Sequence, residues 1–152
     1  MSANKQTLNP TVNVVSFGFK KGDPPQANVV MDVRFLKNPF WVEELRPLTG
    51  RDQPVKDYVM EQSSAQEFIN NLKTLVSHVI PVMFVNQANI DSFTIALGCT
   101  GGQHRSVAVA EEVAKYLKDN YPEYKVSLSH RELDQITTAC QSEESLALQE
   151  GG

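Results

Sequence analysis

The sequence predicts an α/β fold: a single three-layer domain with a mostly parallel sheet and a glycine-rich anion-binding loop at a strand-to-helix junction. Three observations predict it. Phe93-Thr94-Ile95-Ala96-Leu97 is a near-continuous apolar run of strand length, which suits a strand buried on both faces. Residues 98–102 follow as a glycine-rich turn and lead into residues 106–116, where Val107, Ala110, Val113, Ala114 and Leu117 recur at the helical period. Tyr124-Lys125-Val126-Ser127-Leu128 then reads as another strand. Strand, turn, helix and strand at this spacing make a right-handed βαβ unit, which requires parallel strands. The chain has 152 residues, 41% hydrophobic and 21% charged, values that suit one ordinary globular domain.

The remaining elements follow in order. Residues 1–11 are mostly polar without a period, and are expected to be a disordered N-terminal segment. Residues 12–19 are β-branched and aromatic, as a first strand should be. Lys21-Gly22-Asp23-Pro24-Pro25 is a turn. Residues 28–33 form a second strand, ending where Arg34 opens a long polar and aromatic loop that runs to Thr49-Gly50. Pro54 opens a helix over residues 55–61, with Asp52 as its cap. Ser63 or Ser64 caps a longer helix, Glu67 standing at capping-box spacing from Ser64. Phe68, Ile69, Leu72, Leu75, Val76 and Val79 form its apolar face, and Pro81 kinks or divides it. Residues 137–152 carry Glu143, Glu144 and Glu150 and are expected to be an acidic, disordered tail, leaving residues 12–136 as the folded domain. No internal repeat or low-complexity block interrupts this pattern.

Fourteen Lys plus Arg against eighteen Asp plus Glu give a net charge of −4. That balance excludes a surface that attracts nucleic acid everywhere, while a local basic patch could survive it. Cys99 and Cys140 make neither a disulfide framework nor a zinc site, so no metal and no cofactor is expected. The polar opening residues are not expected to act as a signal peptide, and the longest apolar stretch, residues 76–85, is broken by Ser77, His78 and Pro81 and reads as too short to cross a bilayer. A cytoplasmic protein with no membrane partner is the expectation.

The chemistry concentrates in Gly98-Cys99-Thr100-Gly101-Gly102-Gln103-His104-Arg105-Ser106, at the carboxyl end of a buried strand. In open α/β sheets ligands bind there. The first turn of a helix leaves amide N–H groups unpaired, its dipole places partial positive charge beside them, and glycines let the backbone curl round an anion. Arg105 adds a planar fork, and Thr100 and Ser106 add hydroxyl donors, so phosphate is the expected occupant. No GxxxxGK[ST] or GxGxxG occurs, which removes the nucleotide P-loop. The same stretch also fits a cysteine-dependent phosphatase, Cys-five residues-Arg-Ser, with Cys99 attacking, Arg105 holding phosphate and Asp32, Asp23 or Asp52 as general acid. Gly98 stands where such phosphatases carry His. A buried cysteine acting as a small hydrophobe is the commoner state, so binding without turnover is preferred.

Asp32 and Arg34 end the second strand and would share the sheet edge with this loop if the strands are parallel. Asp32 would then hold an arginine, or bond a hydroxyl or ammonium of the ligand; a plain Asp–Arg brace is the alternative. His130 and Arg131 could reach the same edge, or form a solvated turn. His78 is expected to pack, and Phe35, Phe40 and Trp41 to anchor their loop in the core rather than stack on bases.

Several blocks carry a resemblance: VSFGFK at residues 15–20, DVRFLKNP at 32–39, LRPLTG at 45–50, GCTGGQHRSV at 98–107 and His130-Arg131. In order and spacing they resemble the C-terminal domain of the RNase adapter protein RapZ family. The resemblance implies a domain that senses glucosamine-6-phosphate and binds a small regulatory RNA, which the full-length protein presents to an endonuclease. It implies a phosphosugar pocket drawing on Thr100, Gly101, His104 and Arg105, with the 32–46 loop and Arg46 nearby. The family's P-loop nucleotide-binding domain is not among these residues, so nucleotide binding is not transferred. Phe40 replaces a pocket-side His, and Gln103 replaces the Lys of a GGKHRS motif. After Arg131 the family's basic tail gives way to Glu132, Asp134, Glu143, Glu144 and Glu150. The expectation is therefore a non-catalytic sensor of a small phosphorylated metabolite, with a homo-oligomer possible. Its rivals are an RNA adapter, with Lys20, Lys21, Lys37, Arg46, Arg51, Arg105 and Arg131 on one face, and the Cys99 phosphatase.

Overall fold

A computed structural model describes residues 10–134 apart from Ala88. The expected disordered ends lie almost wholly outside the described residues, as does Cys140. Four strands, β1 (Thr11–Gly18), β2 (Val29–Asp32), β3 (Ser92–Cys99) and β4 (Lys125–His130), form one sheet in the order β2-β3-β1-β4. Every pairing is parallel. The helices α1 (Gln53–Met60), α2 (Ser63–Asn86) and α3 (Arg105–Asn120) flank it. The chain is thus a single α/β domain with an all-parallel four-stranded sheet, as the sequence predicts.

Parallel pairing brings all four strands to the same edge. Gly18 lies opposite Cys99, Asp32 opposite Gly98, and Ser16 opposite His130. Strand β1 alternates: Val12, Val14 and Ser16 are buried, whereas Thr11, Asn13 and Val15 are half-buried. The buried face joins Phe93, Ile95 and Leu97 of β3 to Val109, Val113 and Leu117 of α3 and to Ile69, Leu72, Val76 and Ile80 of α2 in one core. On the other face Asn13 bonds Thr94 and Ser127 across the strands. This face is held by polar side chains.

Helix boundaries depart from the sequence reading at three places. Asp52 does stand at the N-cap of α1, but its carboxylate turns outward from the helix to accept from Thr49 N. Helix α2 starts at Ser63 with Gln62 at its N-cap and no side-chain cap bond, so the Ser64–Glu67 capping box is not formed. It also runs unbroken through Pro81 to Asn86. A helix of 24 residues with a hydropathy of 1.3 is long and apolar enough to cross a bilayer, which overturns the length argument made from residues 76–85. Its buried stripe from Ala65 to Phe84 belongs to the core instead. Leu75, placed on that stripe by its spacing, faces outward with Val82 and Val85.

Candidate functional site

The carboxyl edge of β3 hands the chain to α3 through residues 100–104. Sequence chemistry dictates the path: Gly102 adopts φ +77°, a left-handed conformation that costs other residues about 1–2 kcal/mol. A side chain there would also run into Glu132, and one at Gly18 would stand 2.5 Å from the Gly101 carbonyl carbon. Outward-facing carbonyls anchor the loop, Thr100 O accepting from Lys20 N at 3.1 Å and Gln103 O from Gly50 N at 2.8 Å. Among the described residues, no protein oxygen accepts from the backbone amides of residues 101–106. His104 occupies the N-cap of α3, and its side chain makes no cap bond. The first turn of α3 therefore keeps its donors and its dipole available.

Arg105 is only 5% exposed, so it does not reach out into solvent. Its Nη1 donates to the carbonyls of Arg34 at 3.0 Å and Leu36 at 3.1 Å, and its Nη2 donates to Thr100 Oγ1 at 3.3 Å. Half of the guanidinium thus braces the 34–36 segment. The other half does not: Nε is buried with no partner. Nε–H and one Nη2–H lie on the same side of the planar group, the geometry that takes two oxygens of one oxyanion.

The two preceding residues share this condition. His104 is fully buried with neither ring nitrogen hydrogen-bonded, and Gln103 Nε2 is buried without a partner. Burial holds the His104 imidazole below the usual histidine range; the carbonyls of Leu48, Arg46 and Leu45 oppose this from nearby without reaching hydrogen-bond geometry. The Phe40 ring stands 6.4 Å from that of His104, and Arg46 lies over Phe40 while donating to its carbonyl at 2.7 Å. A buried polar group without a partner costs about 1–3 kcal/mol. Among the described residues, the buried side-chain atoms left unpaired all belong to Gln103, His104 and Arg105.

Asp32 and Arg34 form a two-pronged ion pair, with a closest approach of 2.6 Å. Arg34's side-chain bond holds the Asp32 carboxyl below its ordinary range, and its guanidinium sits 4.2 Å over the Phe19 ring. Asp32 is thus the holder of an arginine, and its neighbour Val33 donates to Gly98 O beside the loop. His130 turns inward: Nδ1 lies 2.7 Å from Ser16 Oγ and Nε2 2.8 Å from Glu111 Oε2. A carboxylate only accepts, so Nε2 carries the proton and Nδ1 accepts from Ser16. His130 thus ends β4 at the shared edge, but its side chain is spent on this buried network.

Arg131 does stand at the edge, but is held by Glu132, by Asp23 O and by Gly18 O. Glu132 is the residue that sequence reasoning missed, because an acidic residue beginning an acidic stretch looks solvated. It is 2% exposed and lies against Gly102. Cys99 is fully buried and its Sγ donates to Ser106 Oγ at 3.2 Å, which uses a lone pair of that hydroxyl and leaves its proton to donate. Phe35, Phe40 and Trp41 are exposed, Trp41 to 70%, so they do not anchor their loop in the core. His78 is exposed on α2 rather than packed.

Comparison with known proteins places this geometry in context. The family model described as RapZ C-terminal domain matches residues 10–134. A nucleotide-binding protein of Corynebacterium glutamicum (strain R) is 49% identical over 128 residues, covering 84% of this chain and 40% of that protein. One from Staphylococcus epidermidis is 49% identical over 122 residues, covering 80% and 39%. Another, from Clavibacter michiganensis subsp. michiganensis, is 50% identical over 122 residues, covering 80% and 41%. The chain thus spans about two-fifths of the length of the curated relatives it matches.

Proposed function

We propose that this chain, which belongs to the RapZ C-terminal domain family, is a non-catalytic binding domain that senses a small phosphorylated metabolite, a phosphosugar such as glucosamine-6-phosphate. The observation that carries the reading is the run of buried, unpartnered nitrogens on Gln103, His104 and Arg105 beside loop amides that, among the described residues, donate to no backbone oxygen. A phosphate group would accept from Arg105 Nε and Nη2 and from the amides, completing donors that the protein leaves open. The sensing role and the sugar come from the resemblance. The relatives' description as nucleotide-binding is not carried across, because the chain has no GxxxxGK[ST].

Melting in the presence of ligand tests this. Glucosamine-6-phosphate or a related phosphosugar raises Tm by mass action, and inorganic phosphate does so more weakly. Arg105→Ala abolishes the rise. Arg105→Lys keeps the charge but not the fork, and retains only a small part of it. Wild-type protein indifferent to a panel of phosphosugars and to phosphate at millimolar concentration overturns the reading.

A second reading has its own observation. Exposed Phe35, Phe40 and Trp41 interleave with Arg34, Lys37 and Arg46 in one loop, the pattern of a surface that stacks bases while following a phosphate backbone. As an RNA adapter the chain would bind structured RNA with a steep dependence on salt. Trp41→Ala would weaken that binding; absence of a complex at low salt removes this reading.

A further inference from the structure

The Glu132 carboxylate is used on one side only. Its Oε2 accepts from Gly18 N at 2.9 Å, from Arg131 Nε at 2.8 Å and from Arg131 Nη2 at 2.8 Å. No hydrogen bond from the described residues reaches its Oε1, which is not among the fully buried unpaired atoms and so keeps some access. The side chain is nevertheless 98% buried, and its Cγ lies where a side chain on Gly102 would go. Arg105 and Thr100 meet the glycine loop from the β2 side, whereas Glu132 meets it from the side of β1 and β4. A carboxylate and a guanidinium thus flank the loop, one with an open acceptor and the other with an open donor pair.

A brace for Gly18 and Arg131 needs Oε2 alone. Oε1, which is not among the fully buried unpaired atoms, keeps its lone pairs for a further donor. Arg131 compensates the charge, so Glu132 is less hostile to a neighbouring anion than its formal charge suggests. We propose that Oε1 of Glu132 accepts an O–H or N–H donor of the ligand whose phosphate occupies the 100–106 loop, and so selects phosphate monoesters that carry such a donor. This rests on the phosphate-binding reading above.

The test measures dissociation constants by calorimetry for three probes: inorganic phosphate, glucose 6-phosphate, and a simple alkyl phosphate with no hydroxyl. A hydrogen bond to a charged group makes wild-type protein prefer the hydroxylated ester by about tenfold or more. Glu132→Gln keeps an oxygen for Gly18 N while removing the charge. It brings the two esters to nearly equal affinity and leaves inorganic phosphate bound as well as before, or better. Glu132→Asp, which withdraws the acceptor by one methylene, loses the preference in the same way and serves if the Gln variant does not fold. Equal affinity of wild-type protein for the two esters, or a preference that survives both substitutions, overturns the role of Glu132 alone. Failure of all three probes to bind wild-type protein overturns the phosphate reading as well.

Discussion

Each unpaired nitrogen on Gln103, His104 and Arg105 is a small penalty that the fold tolerates at one place. Loop geometry explains why they gather there. Gly102 at φ +77° turns the backbone so that consecutive residues enter α3 already buried. Gly102→Ala forces that conformation on a residue with a Cβ and drives the Cβ against Glu132, so unfolding free energy should fall by at least about 1–2 kcal/mol in urea denaturation. A loss below a few tenths of a kcal/mol would show that the turn is not held. Cys99 supplies a prediction of opposite character. Its sulfur is buried and bonded to Ser106, so wild-type protein should turn over no aryl phosphate. Turnover that vanishes in Cys99→Ser would restore the phosphatase reading. The strand-to-helix junction that carries the glycine turn was legible from sequence, since glycines after an apolar run and before a helical period need no tertiary context. The commitment of Arg105 Nη1 to carbonyls of residues 34 and 36 was not, because those partners lie some seventy positions away.

At the scale of elements, parallel pairing was legible from the apolar run of β3 and the βαβ spacing, and it alone brings Gly18, Asp32, Cys99 and His130 to one edge. Helix α2 was harder to read. Pro81 removes a backbone donor, which normally stops a helix at a cost of about 3 kcal/mol. Here Val76, Ile80 and Phe84 straddle it in the core, and that burial outweighs the lost bond. Pro81→Ala should then restore the bond without disturbing the packing. The expected result is a Tm raised by several degrees; an unchanged or lower Tm would mean that the proline's own packing matters more. Leu75 and the exposed aromatics of the 34–46 loop were misplaced for one reason: hydrophobicity ranks what gains from burial, and does not say which residues the packing of the sheet and helices reaches.

For the whole molecule, charge and burial combine in its response to acid. His104 and His130 belong to different elements, yet burial holds both imidazoles below the ordinary value of 6.5. Around His130, Glu111 and Asp134 favour the charged form and Arg51 opposes it, but burial dominates. The unfolded chain binds protons at these two sites before the folded one does, so their stabilisation is complete above pH 6.5 and is lost as pH falls through the depressed values. Urea midpoints should therefore drop between pH 7.5 and pH 5.5. A phosphate bound beside His104, as proposed, would work in the other direction, because it favours the ring's proton. Saturating phosphosugar should then flatten the pH dependence, with His104→Gln removing the part that the ligand can flatten and leaving the part due to His130. A midpoint that does not move between the two pH values would mean that neither imidazole is held neutral by the fold, and a slope indifferent to ligand would place the bound anion away from His104.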